Sequence, residues 1–187
     1  MAIVMLTEPT VEPITLQEAK DHLRVDSSTD DAGISETITT ARRQVESITG
    51  RPLITQTHTL YDDSLFGYVC LKPSLQSVTS VKYLDGSGVQ QTFTDYAIDS
   101  TPPTGVVYPS WGNSWPSPRG DRNSVEIEFI AGYGDVPQDV PAPIRSAILL
   151  LVGHLYENRE PVVIGSSVAV VPMAVEYLLG PYQVVRF

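Results

Sequence analysis

Apolar residues recur at helical spacing in the first part of the chain and at alternating spacing in the middle. Thr15-Leu16-Gln17-Glu18, behind Pro13, has the form of a capping box, in which the threonine hydroxyl and the glutamate carboxylate satisfy each other's backbone donors. A short helix is predicted from there, carried by Leu16, Ala19 and Leu23 as far as Val25. Beyond the polar run 26–31, Ile34, Ile38, Ala41, Val45 and Ile48 fall at steps of four and three and draw one apolar stripe on a longer helix. Glu36, Arg42, Arg43 and Glu46 fall on its polar faces, and the Arg42-Arg43 pair reads as a solvated face, with pairing to an acidic neighbour as the second reading. Gly50 stops this helix, with Pro52 beyond it.

From Leu53 the period becomes two, and the threonines at 55, 57 and 59 favour strand. Residues 69–71 and 78–84 are strand candidates, and Asp85-Gly86-Ser87-Gly88 supplies hairpin-turn chemistry before a return strand at 89–93. Residues 96–98 add a further candidate. Val125-Glu126-Ile127-Glu128-Phe129 alternates strictly and so faces a core on one side only. Residues 101–123 between them are rich in Pro, Gly and Ser, carry both tryptophans and read as a long loop. Helical spacing returns with Ile144, Ile148, Leu151 and Leu155. Leu149, Leu150 and Val152 make that helix apolar nearly all round, the profile of a central core helix or of one buried by partners. Pro172 opens a last short helix closed by Gly180-Pro181.

Composition narrows the function. The 187 residues, 42% of them apolar, suffice for a sizeable core, and a lone cysteine, Cys70, allows no internal disulfide. The opening residues 1–9 lack a basic region and are too short an apolar stretch for a secretory signal. Residues 147–153 fall far below the roughly 20 needed to cross a bilayer, so no membrane contact is expected. A net charge of -10 removes the basic face that gives affinity for phosphates. His22, His58 and His154 stand on different predicted elements, without a partner at ligand spacing. Asp30-Asp31 and Asp62-Asp63 read as cap and turn residues, because adjacent side chains do not face one another. There is no nucleophile elbow, phosphate-binding loop or His-Glu-x-x-His motif. No catalytic, cofactor-binding or metal-binding residue is therefore expected.

Five stretches carry a family resemblance: PITLQEAKDHLRVD (13–26), VESITGRPLITQT (45–57), LKPSLQSVTSVKYLDGSG (71–88), VEIEFIAGYGDVPQDVPAPIRSAILLLVGHLYENRE (125–160) and AVEYLLGPYQVVRF (174–187). Together they resemble the head-tail connector, or adaptor, family of long-tailed bacteriophages, also found in prophages and gene transfer agents. The most specific parts are Thr49-Gly50-Arg51-Pro52-Leu53, Ala131-Gly132-Tyr133-Gly134-Asp135, 154–160 and Leu178-Leu179-Gly180-Pro181-Tyr182.

The resemblance implies an α+β protein: a helical connector fold of about four helices with a β-strand insertion between the second and third long helices. The parts would be an N-terminal helical segment 13–52, a β insertion 53–131 and a C-terminal helical segment 141–187, forming one composite domain. It further implies a homo-oligomeric ring of about twelve subunits under the portal protein. That ring would extend the DNA channel and dock a stopper or tail-terminator protein, at the virion neck of a particle assembled in a bacterial cytoplasm. DNA would pass without specific binding, since an acidic wall repels phosphates.

Candidate portal-binding residues are Tyr182, Val184, Val185, Arg186 and Phe187, in an apolar tail with no helix to hold it. Ile148, Leu151, Leu155, Val162, Val163 and Ile164 are candidates for the subunit interface. Trp111 and Trp115 form a candidate partner-facing loop, the alternative being that one of them plugs the β core, and Asp62, Asp63, Glu126 and Glu128 are candidates for lining the channel or facing the tail. A different class of reading takes the same tryptophans, with Tyr108, as a glycan-binding surface.

Overall fold

A computed structural model describes residues 1–101, 104–158 and 173–184. The chain divides into two compact units, one built from Met1–Pro9 with Thr55–Tyr133, the other from Thr10–Ile54 with the chain from Gly134 onward. The first is all β and the second is helical, giving an α+β protein with four helices and two antiparallel sheets among the described residues.

In the helical unit, α1 (Leu16–Leu23) starts at Thr15, where both arms of the capping box are formed, and ends at Arg24 in the left-handed conformation. Helix α2 (Asp31–Thr49) buries Ile34, Ile38, Ala41 and Val45 along the predicted stripe and stops at Gly50, whose φ of 70° suits a residue without a Cβ. Helix α3 (Ala142–Glu157) buries Ile144, Ala147, Ile148, Leu151 and Val152, and the short α4 (Met173–Leu179) buries Val175 and Leu179. Helix α3 packs against α1, α2 and α4, so its broad apolar surface is used within its own unit.

The larger sheet of the β unit has the strand order β1-β2-β8-β4-β5, from β1 (Ala2–Thr7), β2 (Gln56–Asp62), β4 (Leu75–Leu84), β5 (Gln90–Phe93) and β8 (Val125–Ala131). The smaller one, β3-β7-β6, comprises β3 (Val69–Cys70), β6 (Tyr96–Asp99) and β7 (Val106–Pro109). Strand β8 is central, pairing Ile127 with Leu60 of β2 and with Val81 of β4. Its odd positions 125, 127, 129 and 131 are buried and its even ones half-exposed, as strict alternation demands. Leu60, Val81, Val107, Val125, Ile127 and Phe129, all fully buried, form the centre of the β core.

Three features depart from the sequence reading. Residues 2–7 form a strand that joins the sheet as its edge, beside β2. The 101–123 segment is not wholly loop, because it contains β7, the centre of the smaller sheet. Arg42 is not solvated: it is 1% exposed, enclosed by Glu12 and Glu46.

Candidate assembly surfaces

Several of the stretches that carry the family resemblance meet in the helical unit. The Arg51 Nε donates to the Tyr182 carbonyl at 2.7 Å, and the Val184 amide donates to the Thr49 carbonyl at 3.2 Å. Thr49-Gly50-Arg51 thus holds the segment that follows α4. Arg145, at the start of α3, donates through Nε to the Pro13 carbonyl at 3.1 Å and through its other arm to Glu18. Burial opposes the charge of Glu18, but hydrogen bonds from Thr15 and the Arg145 guanidinium outweigh it and hold the carboxyl below its usual range. At the far end of α3, the Tyr156 hydroxyl donates to Asp30 at 2.6 Å. Gly134 lies where a Cβ would stand 2.0 Å from Asp139 Oδ2, so the close approach at 131–135 admits only glycine without rearrangement. These residues are joints, and their polar groups face inward on each other.

Arg42 is the most enclosed of these polar groups. Its Nε donates to Glu12 at 2.7 Å and an Nη to Glu46 at 2.9 Å, while Glu12 also accepts from Thr39 and Glu46 from the Leu53 amide. Burial alone would disfavour its charge, and the two carboxylates more than restore it. Glu12 also borders an open, mostly apolar groove of about 380 Å³ lined by Val11, Ile14, Leu16, Ile38 and Pro137. Its carboxylate accepts from Arg42 on one oxygen and from Thr39 on the other.

The β unit uses several of its carboxylates in turns and leaves some of its aromatic residues exposed. Asp85 accepts from the amides of Ser87 and Val89 and from the Gln91 side chain. The Gln91 and Val89 hydrogen bonds lower its carboxyl below the usual range. Asp63 accepts from the Asn123 amide at 2.7 Å, and Asp62 from the Asp63 amide at 2.9 Å. Glu126 stands 3.7 Å from Lys82 and is half-buried, as is Glu128. Of the four acidic candidates, Asp63 holds a turn and Glu126 is paired across two strands.

The two tryptophans separate. Trp115 is half-buried, donates from Nε1 to the Gly67 carbonyl at 2.9 Å and packs on Phe93 with ring centroids 5.3 Å apart, so it anchors its loop to the β core. Trp111 is fully exposed, and Phe66 (80%) and Tyr68 (72%) are nearly so. The ring of Tyr68 meets Tyr108 edge-on at 5.6 Å. Phe66 and Tyr68 carry no periodic signal, and only their place beside a glycine in a turn-rich stretch hinted at exposure.

His58 lies under the sheet at 4% exposure, stacked on Phe129 at 5.5 Å, and neither ring nitrogen has a hydrogen-bond partner among the described residues. Desolvation, with a smaller contribution from the Lys72 charge, lowers its pKa to about 4. Among the described residues no three His, Cys, Asp or Glu side chains converge as metal ligands, and no helix is long and apolar enough to cross a membrane.

Of the expected subunit-contact residues, Ile148 and Leu151 are 0% and 1% exposed and serve as core of their own chain, while Leu155 is half-buried. Val162, Val163 and Ile164 lie outside the described residues, as do Val185, Arg186 and Phe187 of the tail. Tyr182 and Val184 are half-buried and tied to the end of α2.

Comparison with known proteins places the fold. Residues 12–182 match the profile of the family described as head completion protein. Three solved chains share the fold over the whole of this chain and 97% of their own. One is from the neck of an empty gene transfer agent particle computed with C6 symmetry, at 23% identity and a TM-score of 0.83. Another is from the virion of a native gene transfer agent particle, at 24% and 0.82. The third is from the neck of a native particle computed with C12 symmetry, at 24% and 0.78. None of the curated proteins compared matches the chain.

Proposed function

Since this chain belongs to the head completion protein family, we propose that it is a structural, non-enzymatic head-tail connector in the neck of a tailed phage or phage-like particle. The observation that carries the reading is full-length agreement in fold with chains from gene transfer agent particles, two of them from the neck. In this reading, copies close into a ring of about twelve under the portal protein, by contacts that join different surfaces of each copy. The ring extends the DNA channel and presents a docking surface to a stopper or tail-terminator protein. A net charge of -10 suits a wall past which a duplex slides without sticking. The portal-binding tail runs from Tyr182 to Phe187, and its first residues are held at Tyr182 and Val184 by the α2 terminus. Trp111, exposed where Trp115 is anchored, is the tryptophan available to a partner.

The test is the mass of the purified protein alone and mixed with portal. A ring in either state is expected, and a persistent monomer in both contradicts the reading. The exposed set Phe66, Tyr68 and Trp111 also favours a second reading, a surface that stacks on a glycan. Titrating tryptophan emission against a glycan panel decides it, since emission unchanged throughout leaves assembly alone.

A further inference from the structure

The five-stranded sheet has two free edges, β1 and β5, and no other strand of the described residues lies beside either. Edge strands present a row of unpaired backbone donors and acceptors, which proteins usually protect with charges, prolines or bulges. Neither Ala2–Thr7 nor Gln90–Phe93 contains a charged residue or a proline. Strand β1 is also apolar, with Val4 53%, Met5 37% and Leu6 62% exposed. Its single irregularity falls between Met5 and Thr7, so 2–5 run in unbroken register against β2. That regular stretch matches the length of β5, which is 4 residues. The smaller sheet offers no comparable pair of edges, since β3 has 2 residues and β6 ends on the carboxylate of Asp99.

An edge of this kind is closed by another extended segment, through main-chain hydrogen bonds. We propose that the large sheet continues from copy to copy, the β1 edge of one subunit pairing with the β5 edge of the next. This rests on the ring reading. Two β1 edges paired together would give a two-fold dimer with nothing left to propagate, whereas cyclic assembly joins two different surfaces. Edges β1 and β5 are such a pair, on opposite sides of one sheet.

The test is cysteine cross-linking in the full chain, alone and mixed with portal. The background is Cys70→Ser, because Cys70 is exposed. Val4→Cys is combined in turn with Gln90→Cys, Gln91→Cys and Thr92→Cys, while the mass of each unoxidised sample is recorded. The expected result is a ladder of covalent oligomers longer than dimers, at alternate β5 positions only, because side chains alternate across a strand. Val4→Cys alone should give no covalent product, and a covalent dimer from it overturns the proposal by showing β1 paired with itself. Rings by mass without a ladder at any pair overturn the shared sheet and leave the ring reading standing. Monomers throughout overturn both. Hydrogen exchange on the unmodified chain supplies a readout free of substitutions. On assembly, amides in 2–5 and 90–93 should slow by at least about tenfold, and unchanged exchange there would sink the proposal.

Discussion

The helical and β units use polar chemistry in opposite ways. In the helical unit, charged groups reach across long stretches of sequence to fasten helices: Arg42 to Glu12, Arg145 to Pro13 and Glu18, Arg51 to Tyr182, Tyr156 to Asp30. In the β unit the core is apolar, carboxylates hold turns, and the unit leaves two sheet edges and several large aromatics open to solvent. The contrast separates two kinds of sequence constraint. Fastenings of the first kind constrain residues far apart in the chain together, whereas the exposed edges and aromatics of the second have little demand placed on them by the fold.

Both tryptophans lie in the β unit, so their emission follows its unfolding, while far-UV dichroism is dominated by the helices. The largest loss is expected from Phe129→Ala at the centre of the β core, about 4 kcal/mol from lost burial and the cavity left behind. Urea titration followed by emission measures it; a loss below about 1 kcal/mol would mean that the core can collapse around the gap. Next is Arg42→Ala, which removes the cation between Glu12 and Glu46 and should cost about 3 kcal/mol in the helical transition. Arg42→Met, which keeps the packing of the stem, should fare better than alanine only if packing matters beside charge.

A third expectation concerns pH. The folded pKa of His58, about 4, lies below the ordinary value of 6.5, so the unfolded chain binds the extra proton between those limits. The histidine therefore costs nothing above pH 6.5, and its penalty grows as pH falls toward 4, reaching between about 2 and 3 kcal/mol. Unfolding of the wild type and of His58→Leu, compared at pH 7 and pH 4, should show the wild type losing that much more. Parallel losses would remove the histidine as the cause. The smallest effect sharpens the contrast within one loop. Trp115→Ala should destabilise by about 2 kcal/mol through lost packing and its hydrogen bond. Trp111→Ala should change stability by less than about 0.5 kcal/mol while weakening attachment of a partner in a pull-down.

Local signals made the helices legible. The Thr15 capping box, the Ile34 to Val45 stripe and Gly50 specify their elements through neighbours within a few residues, and each is formed. The same holds for the turn at Asp85 and the alternation of β8. What escaped depends on distant partners. Residues 2–7 do not alternate, and only pairing with β2, more than fifty residues on, makes them a strand. Strand β7 lies in Pro-rich surroundings and is held by β3 and β6 on either side. Arg42 sits beside Arg43 and so looks solvated; Glu46 one turn away was a clue, but Glu12, 30 residues before it, was not within reach of spacing. The exposure of Trp111 against the anchoring of Trp115 turns on a carbonyl 48 residues away.

Sequence order also sets a timetable for synthesis. All of the β unit has been translated once Tyr133 has emerged, but the helical unit is interrupted by it and is completed only by residues from Gly134 onward. Domains fold as their segments leave the ribosome, so the β unit can close first while α1 and α2 wait for α3 to cover their apolar stripes. The contact of Arg51 with Tyr182 spans 131 residues and forms among the last. A nascent chain can therefore complete both uncharged sheet edges before α3 has been made.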